Sequence, residues 1–288
     1  MTGIRKRTKH LNRSSLGNTG VFLLLAALGA FMVLPLIYTV SSSLKPLDEL
    51  WVFPPRFLVR NPTFKNFGDL FRVMSDSEVP FTRYFFNTVL ISVTGTAGHV
   101  ILASMCAYVL SKHTFPGSKL MFKVIVLALL FNAAVTAIPN FMIMSWTRLT
   151  DTYWAFIIPA FGSSLGLYLM KQFTDQMVND SLLEAARIDG AGEWHIFWRI
   201  VMPIVKPAWL TLCIFSFRDL WNTGVTTYVQ NESLKTFNYA MSQVLAGGIA
   251  RSGTGAAAAV IMMIVPIAVF IITQSNVVET MGTSGMKE

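Results

Sequence analysis

Charged side chains are scarce here: only 13% of the 288 residues are Asp, Glu, Lys or Arg, about half the quarter expected of a water-soluble domain. A hydrophobic fraction of 53% also excludes disorder, because disordered segments lack the apolar surface to bury. Cysteine is limited to Cys106 and Cys213; both fall in apolar runs, so a small buried thiol is expected and a disulfide or metal site has little support. The phosphate-cradling pattern Gly-x4-Gly-Lys-Ser/Thr does not occur, so this chain has no nucleotide loop of that kind. Where charge is missing matters more than how much. Residues 14–44, 84–111, 124–147, 152–170 and 252–278 contain no charged side chain, in runs of 31, 28, 24, 19 and 27 residues. Crossing a bilayer takes about 20 mostly apolar residues, as a helix that makes its own backbone hydrogen bonds. Five runs qualify. A sixth, Pro207 to Val229, is apolar except for Arg218 and Asp219.

The expected fold is therefore an all-α polytopic membrane protein with six transmembrane helices. The net charge of +8 does not point to nucleic acid, because the basic residues lie between hydrophobic runs and not on a folded basic surface. Their distribution sets orientation instead. Segments 1–19, 111–123, 171–206 and 274–288 carry 13 Lys and Arg, against 9 in 45–83, 145–152 and 222–255. Arg5, Lys6, Arg7, Lys9 and Arg13 precede the first run with no acidic residue, so both termini are expected in the cytoplasm. That run is too long for the core of a cleaved signal peptide.

Residues 1–19 thus read as a cytoplasmic segment, 20–275 as the membrane domain and 276–288 as a cytoplasmic tail. The first helix, Gly20 to Leu44, contains Pro35. The external segment 45–83 holds five prolines and a short helix around Phe64–Met74. Helices over Tyr84–Leu110, Leu120–Met144 and Tyr153–Met170 follow, with Trp146, Tyr153 and Trp154 as interfacial aromatics.

The cytoplasmic stretch 171–206 looks structured. Ser181 followed by Glu184 is a capping-box pattern, Leu182–Asp189 reads as a short helix, and Gly190 suits the left-handed position that ends one. A second helix starts at Gly192, with Trp194, Phe197, Trp198 and Val201 on one bulky face. Pro203 and Pro207 bracket the entry to the fifth span. The pattern predicts a helix-turn-helix elbow projecting from the membrane.

The stretch Glu184-Ala185-Ala186-Arg187-Ile188-Asp189-Gly190-Ala191, with Ile200, Pro203 and Pro207 downstream, resembles the EAA loop of permease subunits in bacterial ABC importers. Ser43-Leu44-Lys45-Pro46, Trp221-Asn222 and the Gln274–Glu288 tail make the whole chain similar to the maltose-transporter type of carbohydrate permease. Glu279 and Thr280 depart from the commoner tail, where a basic residue and glycine stand. The resemblance implies half of a translocation pathway, with Glu184, Ala185, Ala186, Asp189 and Gly190 coupling to an ATPase. It also implies a second, non-identical permease subunit, an ABC ATPase dimer, an extracytoplasmic solute-binding protein meeting the 45–83 and 222–255 loops, and an oligosaccharide substrate. Lipid surrounds such a chain in a bacterial cell membrane, and it needs no cofactor, metal or nucleic acid.

Charged groups inside a membrane line pathways or pair within the bundle. Arg218, Asp219, Trp221 and Asn222 are therefore candidates to face the cavity, or alternatively to pair between helices. Arg218 and Asp219 lie about 100° apart on a helix and do not face each other. A cavity-facing Arg218 would suit an acidic, uronate-containing sugar, since guanidinium matches carboxylate bidentately. His99 reads as a packing residue beside Gly95 and Gly98, and Asn132 and Asn140 as interhelical hydrogen bonders or cavity-lining groups. Two rivals carry less. An ion-coupled secondary transporter would leave the elbow unexplained. Gly162-Ser163-Ser164-Leu165-Gly166 resembles the serine motif of rhomboid-type intramembrane proteases, a likeness that implies a histidine base on the sixth span; residues 252–278 hold no histidine, and the same residues form a Gly-x-x-x-Gly packing motif.

Overall fold

The computed structural model describes residues 15–75, 79–224, 227–248 and 251–284. The basic cluster from Arg5 to Arg13 lies outside them. Among the described residues all regular structure is helical. Helix α1 (Ser15–Ser43) carries Pro35 in its interior. Its apolar side chains from Val21 to Val40 stand outside the bundle, as a helix bathed in lipid must, because hydrocarbon gives an apolar face nothing to escape from. A short α2 (Leu47–Leu50) and α3 (Lys65–Ser75) fold the segment that follows. Glu49 ties it together, accepting from the backbone N–H groups of Arg60 at 2.8 Å and Asn61 at 3.3 Å. Asn66 donates to the carbonyls of Ser43 and Lys45.

The central element is α4 (Phe81–Lys112), a 32-residue span through the middle of the chain's packing. After it the expected third and fourth spans are each interrupted. The third is α5 (Ser118–Ala128) and α6 (Ala133–Trp146), broken where the Asn132 side chain caps α6 by accepting from the Ala134 N–H at 3.0 Å. The fourth is α7 (Trp154–Phe161) and α8 (Ser164–Met177), broken at Gly162 just after Pro159. The elbow is α9 (Asp180–Ile188), then α10 (Glu193–Ile196), a π-helical turn over Phe197–Val201, and α11 (Met202–Ile204).

At Val205 the chain bends by 80° into α12 (Lys206–Trp221), with Pro207 in its first turn. The expected fifth span ran to Val229; α12 stops at Trp221, where both the backbone and side-chain nitrogens of Asn222 bond the Arg218 carbonyl. An ordered loop leads to α13 (Phe237–Ala246) and α14 (Ser252–Ser284). The backbone of α14 continues helically past residue 276, where a separate tail was expected. By length and composition, three described helices can cross a membrane, or four if the bent pair around Val205 is one span.

Small residues set the close approaches. A side chain on Gly95 would strike Leu220, on Gly98 the Phe161 ring, and on Gly166 both His99 and Leu212. Gly166 thus performs the packing expected of the Gly-x-x-x-Gly pair, whereas a side chain on Gly162 would meet only the nearby Pro159 carbonyl, at an ordinary 3.6 Å. One core joins Val100, Ala103 and Ala107 of α4 to Leu183, Ile196, Val201, Val205 and Leu212.

Candidate functional site

Two places hold the residues singled out from the sequence. In the elbow, α9 begins two residues earlier than a Ser181 cap requires: Asn179 is the N-cap, its side chain accepting from the Ser181 N–H at 3.4 Å. The reading of Ser181 and Glu184 as a capping box is therefore corrected. Asx side chains before a helix reach the same orphan donors as serine does. The other end matches expectation in detail. Gly190 has φ +81°, its N–H bonds the Arg187 carbonyl at 3.0 Å, and the Ala191 N–H bonds the Ala186 carbonyl at 3.0 Å. That double closure is a Schellman motif, which needs a left-handed residue just past the helix end.

Leu183 anchors α9 inward and Ala186 is half-buried against the same core. Glu184, Ala185, Asp189 and Gly190 are exposed, and Ile188 at the tip is 86% exposed. The second helix differs from expectation. Its buried face is Ile196, Phe197 and Val201, while Trp194 and Trp198 stay 65% and 46% exposed. The π-helical turn over Phe197–Val201 breaks the 3.6-residue period on which that stripe was predicted.

Glu193 is the residue that sequence reasoning missed. Its Oε1 accepts from Arg187 Nε at 2.7 Å, and its Oε2 accepts from the Tyr108 hydroxyl at 2.5 Å and lies 3.3 Å from His113 Nε2. The bond from Arg187, then that from Tyr108, holds its carboxyl below the usual glutamate range. Lys112 adds a second tie, donating to the Val178 carbonyl at 2.7 Å and to Asp180 Oδ1 at 2.8 Å. No local pattern announces these contacts, since Tyr108 lies 85 residues earlier in the chain.

The second place is a cavity of about 270 Å3 between α4, α7, α8 and α12, with His99, Ser163, Ser216, Asp219, Thr223 and Tyr228 as its polar lining. His99 is only 1% exposed; its Nδ1 lies 3.4 Å from the Phe161 carbonyl and its Nε2 has no hydrogen-bond partner. Ser163 is therefore not hydrogen-bonded to that imidazole nitrogen, and a serine nucleophile needs such a base.

The four candidates on and after α12 separate. Asp219 lines the cavity, and Arg218, exposed, does not. No ion pair joins Arg218 to any described residue. Leu220 packs with Ile91 of α4, ten residues from the start of that helix, so Arg218 sits in the half of the bundle where α4 begins. Trp221 is corrected: it is 1% exposed, and its indole N–H donates to the Met262 carbonyl at 3.1 Å. Pro266 lies four residues further along α14 and lacks the N–H that would otherwise bond that oxygen. Asn222 is exposed, its side chain closing the end of α12. Among the described residues no group of three or more His, Cys, Asp or Glu could hold a metal.

A helical membrane bundle with an exposed, capped elbow and a cavity of mixed lining between its helices has the form of a transport component. The sequence profile of the family described as binding-protein-dependent transport system inner membrane component matches residues 19–281. The chain belongs to that family, as the EAA stretch led one to expect; it is a permease subunit of an ABC importer and not an enzyme. It is 32% identical over 215 residues to the polygalacturonan/rhamnogalacturonan transport system permease protein YtcP of Bacillus subtilis, covering 74% of this chain and 72% of that one. It is 26% identical over 271 residues to the galactooligosaccharides transport system permease protein GanQ of the same organism, covering 92% and 94%. The fold is similar to a chain of a bacterial ABC transporter involved in the import of the acidic polysaccharide alginate, with a TM-score of 0.77, 22% identity, and coverage of 92% of this chain and 99% of that one.

Proposed function

We propose that this chain forms half of the translocation pathway of an ATP-driven importer for acidic, uronate-containing oligosaccharides, in a multi-pass arrangement of six spans with both termini cytoplasmic. The interrupted pairs α5–α6 and α7–α8 each count as one span in that reading. A separate ATPase dimer docks on α9, a second permease completes the pathway, and an extracytoplasmic solute-binding protein delivers substrate to the outer loops. One observation carries the coupling: an elbow closed by a left-handed Gly190 and rooted by Leu183 presents Glu184, Ala185 and Ile188 outward. Such an elbow can be pushed without deforming. ATP-driven closure of the ATPases would move the elbows together and convert an inward-facing cavity into an outward-facing one; hydrolysis would reset it.

The acidic cargo rests on Arg218. A guanidinium with no ion-pair partner among the described residues, in the half of the bundle that this topology turns outward, fits a carboxylate arriving from outside. The relatives include permeases for polygalacturonan/rhamnogalacturonan and for galactooligosaccharides, so charge is the property to test. Asp219, with the cavity hydroxyls, would meet sugar hydroxyl groups. In proteoliposomes holding the complete transporter, Arg218→Gln is expected to lower oligogalacturonate uptake about tenfold or more, the scale of one lost charged hydrogen bond, with ATPase assembly unchanged. Undiminished oligogalacturonate uptake in that variant would remove Arg218 from the pathway. Uptake of neutral oligosaccharides alone would restrict the proposal to a neutral-sugar permease.

A further inference from the structure

We propose that Glu193 is the positioning residue that fastens the elbow to α4, so that a displacement of α9 reaches the cavity wall through one carboxylate. The inference rests on the reading of α9 as the surface an ATPase pushes. Both oxygens of Glu193 are used. One holds Arg187 in the last turn of α9 at 2.7 Å; the other holds Tyr108, near the end of α4, at 2.5 Å. Glu193 itself opens α10. Three segments thus meet at a single side chain.

The start of α9 is held by the same helix, since Lys112 of α4 bonds Asp180 at 2.8 Å and the Val178 carbonyl at 2.7 Å. Tyr108 and Lys112 are one helical turn apart and share a face. Helix α9 is therefore pinned across the end of α4 at both of its own ends, and a push on it cannot be absorbed by swivelling about one contact. Stability does not explain the arrangement. The carboxylate of Glu193 is 46% exposed and the Arg187 guanidinium 37% exposed, and ion pairs so open to solvent add little. What the cluster fixes is direction. From Tyr108, α4 continues to His99, Gly98 and Gly95, where it meets α7, α8 and α12 and where His99 lines the cavity.

The test compares Glu193→Ala, Glu193→Gln and Tyr108→Phe in the complete transporter, purified through a tag on this chain and reconstituted. The readouts are ATPase subunits retained, ATP hydrolysed and substrate taken up per ATP. All three variants are expected to retain the ATPase. Uptake per ATP should fall about tenfold in Glu193→Ala, within the usual range of coupling energies, and less in the other two; the Gln amide oxygen still accepts from Arg187. Undiminished uptake per ATP in Glu193→Ala overturns the clamp, and so does loss of the ATPase from that variant, which would make Glu193 a docking residue. Should Glu193→Ala fail to insert, an unchanged ratio in Tyr108→Phe overturns it equally. A wild-type chain that holds no ATPase sinks the reading of the elbow itself, a result distinct from either.

Discussion

At the scale of single residues, Trp221 shows how a polar-capable side chain in a membrane chain is assigned a partner. Tryptophan beside Arg218 and Asp219 invites a role against sugar rings, yet its ring is packed between Phe85 and Phe217 and its N–H completes a hydrogen bond that Pro266 leaves open in α14. An unmet carbonyl in hydrocarbon costs more than one in water. Trp221→Phe keeps the aromatic packing and removes the donor, so it is expected to destabilise the protein by about 1–3 kcal/mol. Adding Pro266→Ala restores an intrahelical donor to Met262 and should recover most of that loss. Thermal unfolding of the single and double variants in nanodiscs measures both. If the double variant is no more stable than Trp221→Phe, the hydrogen bond is not what the tryptophan contributes.

Elements decide how force could travel. Helix α9 spans only Asp180–Ile188, too short to be stable alone in water, and is kept helical by Asn179 at one end, the Schellman closure at the other and Leu183 beneath. Gly190 at φ +81° tolerates no branched side chain without strain of about 1–3 kcal/mol. Gly190→Val is therefore expected to insert normally while losing stimulated ATPase activity and uptake, read from membrane fractions and reconstituted protein; full activity in that variant would count heavily against a lever role. The neighbouring breaks in α5–α6 and α7–α8 follow the same chemistry of punctuation, with Asn132 and Gly162 at the interruptions.

For the molecule as a whole, the distribution of exposed apolar surface is the telling feature. Phe22, Phe31 and Met32 on α1, Leu120 on α5 and Ile138 on α6 are more than half exposed, while the packed interior gathers around α4 and α12. In the proposed assembly such surface is covered by lipid and by other subunits. The energetic consequence of the proposed assembly can be checked directly: reconstituted uptake should require ATP and a separate ATPase, and persist after sodium and proton gradients are collapsed with ionophores. Transport that stops with the gradients while ATP remains would favour an ion-coupled carrier.

The sequence by itself determined the solvent, the helical class and the elbow. Charge-free runs of 19 to 31 residues admit only helices that satisfy their own backbone, and the small residues, glycine and prolines around 184–207 set a turn whose local geometry needs no distant partner. The family, too, was legible there, because its signature is a contiguous stretch. Tertiary structure alone decided which way the polar groups face. In a chain apolar on nearly every helical surface, periodicity does not distinguish inside from outside, so the burial of Trp221 against α14 and the exposure of Arg218 off the cavity lining emerge only once α14 and α4 are in position. Glu193 was hidden for the complementary reason: its meaning lies in Tyr108, which the fold brings to it across 85 residues.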